Sequence, residues 1–216
     1  MKEFPKIETL YDRDEKTHKV MPDQLRLLEF ALIKRWQLTE KIDGTNVRIG
    51  LAIDGTVTYG GRTDNAQMPV TLAEYLRNTF TAEKMHLAFA DSLGNAEVVV
   101  FGEGYGPKIQ SGGAYRSGVA VRLFDVLVGD WWLEPPDVLD VVGKLGVTIV
   151  PALGETDYLP RSVDDLRTML KGGASLAALQ DGGAGMRAEG IVARTVPLLF
   201  TRKGERLLWK LKFRDF

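Results

Sequence analysis

The chain contains at residues 39–46 the stretch Thr39-Glu40-Lys41-Ile42-Asp43-Gly44-Thr45-Asn46. A strand-like run, residues 35–40, precedes Lys41, and Asp43-Gly44 is a tight-turn signal. An ammonium group is not a nucleophile, and a lysine becomes one when burial or neighbouring cations favour the neutral amine. A lysine at a strand-to-turn junction is held at the mouth of a pocket. The stretch therefore indicates either a nucleophilic lysine or an ordinary solvated lysine in a surface hairpin.

The composition limits the chemistry that the chain performs. Its 216 residues carry a formal net charge of -1, no cysteine and 2 histidines, His18 and His86. The lack of cysteine excludes disulfides, thiolate metal sites and cysteine nucleophiles. The two histidines are far apart in the sequence, which argues against a histidine-ligated zinc site or a serine–histidine triad. Chemistry must then depend on Lys, Arg, Asp, Glu and Asn, and any divalent ion must be held by oxygen ligands.

Targeting signals are not evident in the sequence. The first residues, Met1-Lys2-Glu3-Phe4-Pro5-Lys6, contain no apolar signal core, and no apolar run is long enough to span a bilayer. We therefore expect a cytoplasmic protein without a membrane partner. A net charge near zero argues against coating of nucleic acid by bulk charge, but it permits a local basic groove.

The local patterns predict a single α+β domain over residues 1–216, built from antiparallel sheets flanked by helices. Asp54-Gly55 predicts a hairpin between residues 47–52 and 56–59. A capping-box pattern at Thr71 predicts a helix from there to Phe80 or beyond, and residues 171–185 read as a glycine-rich connection. Further strands are predicted at residues 97–101, 120–128, 148–150, 188–195 and 206–213, and further helices from Pro136 to about Gly146 and over residues 162–170.

Two glutamates stand beside glycine at the ends of predicted strands. Glu103 lies between Gly102 and Gly104 after an apolar strand, and Glu189 precedes Gly190 at the start of another. Glycine lets a ligand approach the backbone closely, and two carboxylates on neighbouring strand ends would bind a divalent cation or its waters. The alternative for each is a solvated glutamate at a strand boundary.

The last predicted strand separates apolar from cationic side chains. Strand alternation puts Leu207, Trp209, Leu211 and Phe213 on one face, and Lys210, Lys212 and Arg214 on the other. Three cations on one face repel one another unless an anion lies between them, which favours a phosphate site. The alternative is an edge strand whose lysines guard against aggregation. Arg62, which follows Gly60-Gly61, suits a phosphate or a surface ion pair equally well.

The order of these segments resembles the ordered motifs of the covalent nucleotidyltransferases, which include the ATP-dependent DNA and RNA ligases and the mRNA-capping guanylyltransferases. The segments are Lys41-Ile42-Asp43-Gly44, Phe101-Gly102-Glu103, Phe124-Asp125-Val126, Glu189-Gly190-Ile191-Val192 and Lys210-Leu211-Lys212. Lys-x-x-Gly-Thr-Asn, Gly-Arg-Thr, and Phe-Gly-Glu followed by Tyr-Gly are most similar to the RNA ligase 2 branch, which includes phage RNA ligases and trypanosome editing ligases. The resemblance covers nearly the whole chain.

The resemblance implies the adenylation fold of these enzymes and a reaction in three steps. Lys41 would attack the α-phosphate of ATP, release pyrophosphate and form a lysyl-AMP. The AMP would pass to the 5′-phosphate end of an RNA strand, and a 3′-hydroxyl end would then displace it, as in RNA repair. ATP and Mg²⁺ or Mn²⁺ are the implied cofactors, and RNA ends, including those of a nicked duplex, are the implied partners.

The resemblance also implies a role for individual residues. The implied catalytic residues are Lys41, Lys210, Lys212 and Glu189, and the implied ATP-binding residues are Glu40, Ile42, Asn46, Arg62, Glu103, Phe124, Lys210 and Lys212. Glu40 and nearby backbone would read the adenine edge, Phe124 would stack on the base, and Glu103 would bind ribose. Asn46 and Arg62 would contact phosphate or the 3′-hydroxyl end, and the two strand lysines would contact the α-phosphate. Glu189, and with it Glu103, is expected at the metal.

Two departures from the family pattern leave alternatives open. The sequence ends at Phe216, four residues after Lys212, so we expect no C-terminal OB-fold or helical domain, and an accessory protein or domain for sealing stays open. Asp43 stands where RNA ligase 2 has histidine, whereas aspartate is common there in DNA ligases. The alternatives are an ATP-dependent DNA ligase, a capping-type nucleotidyltransferase, or a non-catalytic relative that binds nucleic acid.

Overall fold

A computed structural model describes residues 1–90, 96–183 and 185–216. The contacts between Cα atoms divide the chain into two compact units. Unit 1 comprises Met1–Pro5 and Asp43–Ile149, and unit 2 comprises Lys6–Ile42 and Val150–Phe216. The chain passes from unit 2 to unit 1 directly after Ile42, one residue beyond Lys41. The expectation of one domain over residues 1–216 stays a prediction.

Strands and helices are numbered here in chain order. The strands are β1 (Glu8–Thr9), β2 (Tyr11–Arg13), β3 (Val20–Leu25), β4 (Trp36–Lys41), β5 (Thr45–Leu51), β6 (Val57–Gly60), β7 (Val98–Tyr105), β8 (Ala120–Val128), β9 (Trp131–Trp132), β10 (Thr148–Ile149), β11 (Ala152–Thr156), β12 (Gly190–Thr195) and β13 (Leu208–Lys212). The α-helices are α1 (Val70–Thr79), α2 (Ala82–Phe89), α3 (Pro135–Leu145), α4 (Val163–Met169) and α5 (Leu176–Gln180). Short 3-10 helices cover Leu28–Leu32, Gly112–Ala114 and Phe213–Asp215.

Unit 1 is a sheet in the order β10-β8-β7-β5-β6, with β9 paired to β8. Its pairs are antiparallel except for β10 with β8, which is parallel. Alternate residues of β5, which are Val47, Ile49 and Leu51, enter one apolar core with buried residues of α1, α2 and α3. The intervening residues Asn46 and Arg48 therefore belong to the opposite face of the sheet.

Unit 2 is a sheet in the order β1-β13-β12-β4-β11, accompanied by the two-stranded β2–β3 ribbon. The pairs β4–β12, β12–β13 and β4–β11 are antiparallel, and β1 pairs with β13 in parallel. Its core is centred on two fully buried tryptophans, Trp36 and Trp209, whose ring centroids lie 5.7 Å apart. Leu166 and Leu170 from the region of α4 join the same core.

The α+β architecture of antiparallel sheets and helices is confirmed, with several local corrections. The hairpin around Asp54-Gly55 and the strand over residues 120–128 occur where predicted. The capping box at Thr71 is wrong, because α1 begins one residue earlier with Pro69 as its N-cap. The strand predicted to end at Phe101 continues as β7 to Tyr105 and so includes Glu103. The predicted connection 171–185 contains α5, while its residue 184 lies outside the described residues.

None of the helices in the described part of the chain combines the length and the apolar content that a bilayer crossing needs.

Candidate active site

Three neighbouring strands of unit 2 place Lys41, Gly190 and Lys212 in one row across the sheet. Gly190 of β12 is the register partner of Lys41 on β4 and of Lys212 on β13. Two residues along, Val192 pairs in the same way with Thr39 and Lys210. Because side chains alternate between the faces of a strand, Lys41, Lys210 and Lys212 share one face.

The opposite face of this sheet is the apolar core of unit 2. Leu207, Trp209, Leu211 and Phe213 are buried there, as the alternation in the sequence predicts. Gly190 is required at its position, since a Cβ atom on it would clash with the Leu211 carbonyl oxygen and lie 2.7 Å from Cα of Lys212. The glycine thus lets β12 approach β13 closely at the level of the lysines.

Glu189 connects two of these lysines through one carboxylate. Its Oε2 atom lies 2.7 Å from Lys41 Nζ, and its Oε1 atom lies 2.5 Å from Lys212 Nζ. The side chains of Lys41, Lys212 and Glu189 are 21%, 14% and 10% exposed, so the cluster is largely shielded from solvent. The exposed Arg214 approaches the same carboxylate at 3.9 Å. The anion expected between Lys212 and its neighbouring cations is therefore the Glu189 carboxylate of the chain itself.

Glu40 lies on the core face of β4, opposite Lys41. Its carboxylate is buried and accepts hydrogen bonds from Ser175 Oγ at 2.5 Å and from the Ala177 backbone N–H at 2.9 Å. Glu40 thereby fixes the start of α5, whose N-cap is Ser175. The structure does not bring this carboxylate to the lysine face. The role of Glu40 at the adenine edge stays a prediction, and in this geometry it would fall to the main chain.

The turn after Lys41 is fixed within unit 1. The Asp43 backbone N–H donates to the Tyr115 hydroxyl at 3.0 Å, and the ring of Tyr115 packs edge-on against Tyr105. Gly44 approaches the end of β7 so closely that a Cβ atom would clash with the Gly104 carbonyl oxygen and lie 2.9 Å from Glu103 Cγ. Tyr115 was not predicted from the sequence, because nothing local marks a tyrosine whose partner is 72 residues away.

Four of the other predicted nucleotide-binding residues, Asn46, Arg62, Glu103 and Phe124, belong to unit 1, whereas Ile42 is buried in unit 2. Asn46 of β5 and Glu103 of β7 are register partners, so the structure brings these two together. Among the described residues, the Asn46 Oδ1 atom is buried without a hydrogen-bond partner. A buried acceptor left unpaired costs about 1–3 kcal/mol, so a ligand that donates to Asn46 would remove that penalty.

Phe124 lies on β8, and Arg62 lies in the loop after β6, both in unit 1. The Phe124 ring on β8 packs edge-on against Phe4 with centroids 5.0 Å apart, and Phe4 also contacts Phe101 and Trp132. Phe124 is therefore held in an aromatic cluster. Arg62 is exposed in the loop that follows β6.

The family comparison decides what kind of protein carries these residues. The family model described as RNA ligase matches residues 34–212 of the chain, which include Lys41, Glu189 and Lys212. This chain belongs to the RNA ligase family. A comparison of its sequence with curated proteins found no match.

Solved structures with the same fold include several of the Naegleria gruberi RNA ligase. A mutant of that ligase with ATP and Mn has a TM-score of 0.60 and 18% identity to this RNA ligase family member, over 85% of this chain and 52% of that chain. A mutant without ligand gives 0.63 and 19%, over 97% and 57%. The complex of that ligase with pyrophosphate gives 0.60 and 21%, over 97% and 61%. The present chain thus spans less than two thirds of the length of these ligases.

Glu189 is the carboxylate beside Lys41 that a divalent metal would meet. Within residues 1–90, 96–183 and 185–216, no group of three His, Cys, Asp or Glu side chains could hold a metal ion by itself. Glu189 already pairs each of its oxygens with a lysine ammonium. Such a carboxylate fits the outer hydration shell of a cation that arrives with a nucleotide, since Mg²⁺ usually keeps several waters and takes phosphate oxygens as ligands.

Proposed function

We propose that this RNA ligase family member uses ATP to form a lysyl-AMP at Lys41 and then joins 5′-phosphate to 3′-hydroxyl ends of RNA. The cluster of Lys41, Glu189 and Lys212 carries the proposal. It supplies a nucleophile, an acceptor for the proton of that nucleophile, and a second cation for the phosphate under attack. The family match supports RNA as the substrate over DNA, and it likewise disfavours a capping enzyme.

The first step requires the neutral amine of Lys41. The Lys41 ammonium donates to Glu189 Oε2 at 2.7 Å, so this carboxylate is the acceptor to which the lysine gives its proton. The amine then attacks the α-phosphorus of ATP, an N–P bond forms, the bond to the bridging oxygen of pyrophosphate breaks, and the nitrogen gives one more proton to water to leave the lysyl-AMP phosphoramidate. Negative charge spreads over the phosphoryl oxygens in the transition state, where nearby cations stabilise it.

Lys212 and Lys210 are the cations proposed for that charge. Lys212 now pairs with Glu189 Oε1, and a protonated Glu189 would no longer hold it as an ion pair. Lys212 would then be released to the phosphate at the moment when Lys41 becomes nucleophilic. Lys210 lies one row further along the same face and is proposed to contact the same phosphate.

Nucleotide binding is proposed to involve Asn46, Arg62, Glu103 and Phe124, with Ile42 and the main chain near Glu40. The unpaired, buried Oδ1 atom of Asn46 supports a ligand contact at that residue. The Phe124 ring, fixed by its edge-on contact with Phe4, suits stacking on adenine. Mg²⁺ or Mn²⁺ is the proposed metal, and when bound it would neutralise phosphate charge, with Glu189 accepting hydrogen bonds from its waters. The expectation that Glu103 also contributes stays a prediction.

The partners proposed for the later steps are RNA strands with a 5′-phosphate and a 3′-hydroxyl end, including those of a nicked duplex. An accessory protein or domain stays open for sealing, because the matched Naegleria gruberi ligase chains are longer than this chain. The cytoplasmic location expected from the sequence stays a prediction.

The direct test is intact-mass measurement after incubation with ATP and Mg²⁺. We expect one added AMP in the wild type and none in Lys41→Ala. Lys41→Arg is the sharper variant, since a guanidinium keeps the charge beside Glu189 but is not a nucleophile at neutral pH. An adduct that survives in Lys41→Arg would overturn the assignment of the nucleophile. Sealing assays on nicked RNA and nicked DNA then distinguish an RNA ligase from a DNA ligase.

A further inference from the structure

Arg48 is a buried cation that the proposed reaction does not use. It lies on β5 of unit 1, two residues after Asn46, and its side chain is 0% exposed. Burial of a guanidinium is costly unless hydrogen bonds and a negative charge compensate it. Its partners therefore indicate what the residue holds in place.

The three partners of Arg48 lie around one loop and the first residue of unit 1. Nε donates to the Gly61 carbonyl oxygen at 2.6 Å, Nη2 donates to Asp64 Oδ1 at 2.9 Å, and Nη1 donates to the Met1 carbonyl oxygen at 2.9 Å. Gly61 and Asp64 stand on either side of Arg62 and Thr63. One rigid guanidinium thus holds both ends of residues 61–64, which are called the Arg62 loop below.

The sequence around the loop leaves room for this arrangement. Gly60 is the register partner of Arg48, and a Cβ atom on Gly60 would lie 3.3 Å from Arg48 Nη2. A Cβ atom on Gly61 would lie 2.8 Å from Cβ of Ala66. The loop is closed by the Ala66 backbone N–H, which donates to the Thr63 carbonyl oxygen at 3.1 Å. Gly60 therefore leaves space beside the Arg48 guanidinium, and Gly61 lets the loop close against Ala66.

We propose that Arg48 is a positioning residue that acts through Arg62. Arg48 fixes the Arg62 loop, and from this loop Arg62 contacts phosphate or the RNA 3′ end, a contact that rests on the proposed function. Arg48 does not touch the ligand itself, since its side chain is fully buried. Arginine suits the task better than lysine, because its planar fork binds several acceptors in fixed directions.

The test is a double-mutant cycle between Arg48→Met and Arg62→Ala. We expect Arg48→Met to slow the same step that Arg62→Ala slows, on the order of ten- to a hundredfold, because small displacements of a positioned group have effects of that size. The double variant should be no more than about threefold slower than Arg62→Ala, since both changes remove one interaction. If the double variant is slowed by the product of the two single effects, the inference is overturned.

A matched control is available in Arg122, a second buried arginine of the same unit. It donates to the Tyr105 hydroxyl and to the Ile149 carbonyl oxygen, both at 3.1 Å, and neither group belongs to the Arg62 loop. The rate effects of Arg122→Met and Arg62→Ala should therefore multiply in the double variant, as expected for independent sites. If Arg122→Met instead shows the same coupling as Arg48→Met, the coupling does not arise from the loop and the inference fails.

Hydrogen–deuterium exchange tests the loop without reference to activity. Arg48→Met should speed exchange of the Ala66 amide at least about tenfold, whereas Arg122→Met should leave it unchanged. Asp64→Ala is a second loop variant, which also serves if Arg48→Met folds poorly. It removes the acceptor of Arg48 Nη2 and leaves the core intact, because Asp64 is 73% exposed. Unchanged exchange of the Ala66 amide in every loop variant that folds would overturn the inference. A wild-type protein that forms no AMP adduct would refute the proposed function, and the exchange result would still decide whether Arg48 holds the loop.

Discussion

Substitution of Gly190 by alanine should damage both the fold of unit 2 and the cluster at Glu189. The new Cβ atom would clash with the Leu211 carbonyl oxygen and lie 2.7 Å from Cα of Lys212, whereas real Cβ atoms essentially never approach within 3.0 Å. Both obstacles are backbone atoms of β13, which cannot rotate away as a side chain can. Strands β12 and β13 would have to separate locally by roughly 1 Å, in a core packed at crystal-like density.

The expected loss of stability follows from this separation. Overpacking of a well-packed region costs about 1–3 kcal/mol. The Phe213 backbone N–H donates to the Glu189 carbonyl oxygen at 3.1 Å, and a shift of this size would take that bond beyond hydrogen-bonding distance, at a cost of about 1 kcal/mol. A total of about 2–4 kcal/mol corresponds to a fall in Tm of about 4–16 °C in a protein of this size.

Thermal unfolding followed by circular dichroism measures the first effect, and intact-mass labelling with ATP well below the Tm measures the second. Gly143→Ala is the matched control, since no heavy atom lies within 4 Å of its added Cβ and Gly143 is inside α3. Alanine there should raise stability by about 0.5–1 kcal/mol. A Gly190→Ala protein with the Tm and the AMP labelling of the wild type would refute the close approach of β12 to β13.

Three further predictions concern the same sheet and the nucleotide. Trp209→Ala should lower the free energy of unfolding by about 3–5 kcal/mol, since the fully buried ring packs against Trp36, and a denaturant titration that gives less than about 1 kcal/mol would contradict this. Lys212→Ala and Lys210→Ala should each sharply reduce AMP labelling, and Lys212→Ala should also lower the free energy of unfolding by about 1–3 kcal/mol, because it removes a shielded partner of Glu189. Wild-type labelling in both variants would show that neither lysine contacts the phosphate. ATP should label the protein in preference to GTP, because stacking on Phe124 is indifferent to the base and selectivity must come from hydrogen bonds at the purine edge. Equal labelling by the two nucleotides in a competition assay would indicate a capping-type enzyme.

Much of the strand framework could be predicted because its signals are local. Asp54-Gly55 marks the hairpin between β5 and β6, where Gly55 adopts a φ of +86°, a value that glycine tolerates best. The alternation in residues 207–213 correctly separated the lysine face of β13 from the core face, because one side of the sheet is fully covered. Local composition therefore identified which residues face the lysine side.

The features that were missed depend on distant partners. Helix α5 has 5 residues and lies between glycines, too short for a periodic pattern to appear, and it is held by Glu40, 135 residues before Ser175. Strand β1 has only 2 residues, too few for alternation to identify, and the parallel pairings β1–β13 and β10–β8 were not predicted, although a strand at residues 148–150 was. Each of these elements exists because of tertiary contacts, which propensity does not encode.

The charged residues of this chain show that the sequence pattern alone does not reveal which charges are buried. Glu40, Arg48 and Glu189 all stand in or beside strands, and the usual expectation places a charged side chain in such a position in solvent. Glu40 and Arg48 are instead buried, and each satisfies its charge by holding a neighbouring segment, α5 in one case and the Arg62 loop in the other. Glu189 differs because its two closest partners are lysine ammonium groups, and in the proposed reaction one of them, Lys41, would lose a proton. The proposed chemical role of Glu189 follows from this difference, since its charge would then depend on a reacting partner, whereas the Glu40 carboxylate bonds to a helix start and a serine hydroxyl.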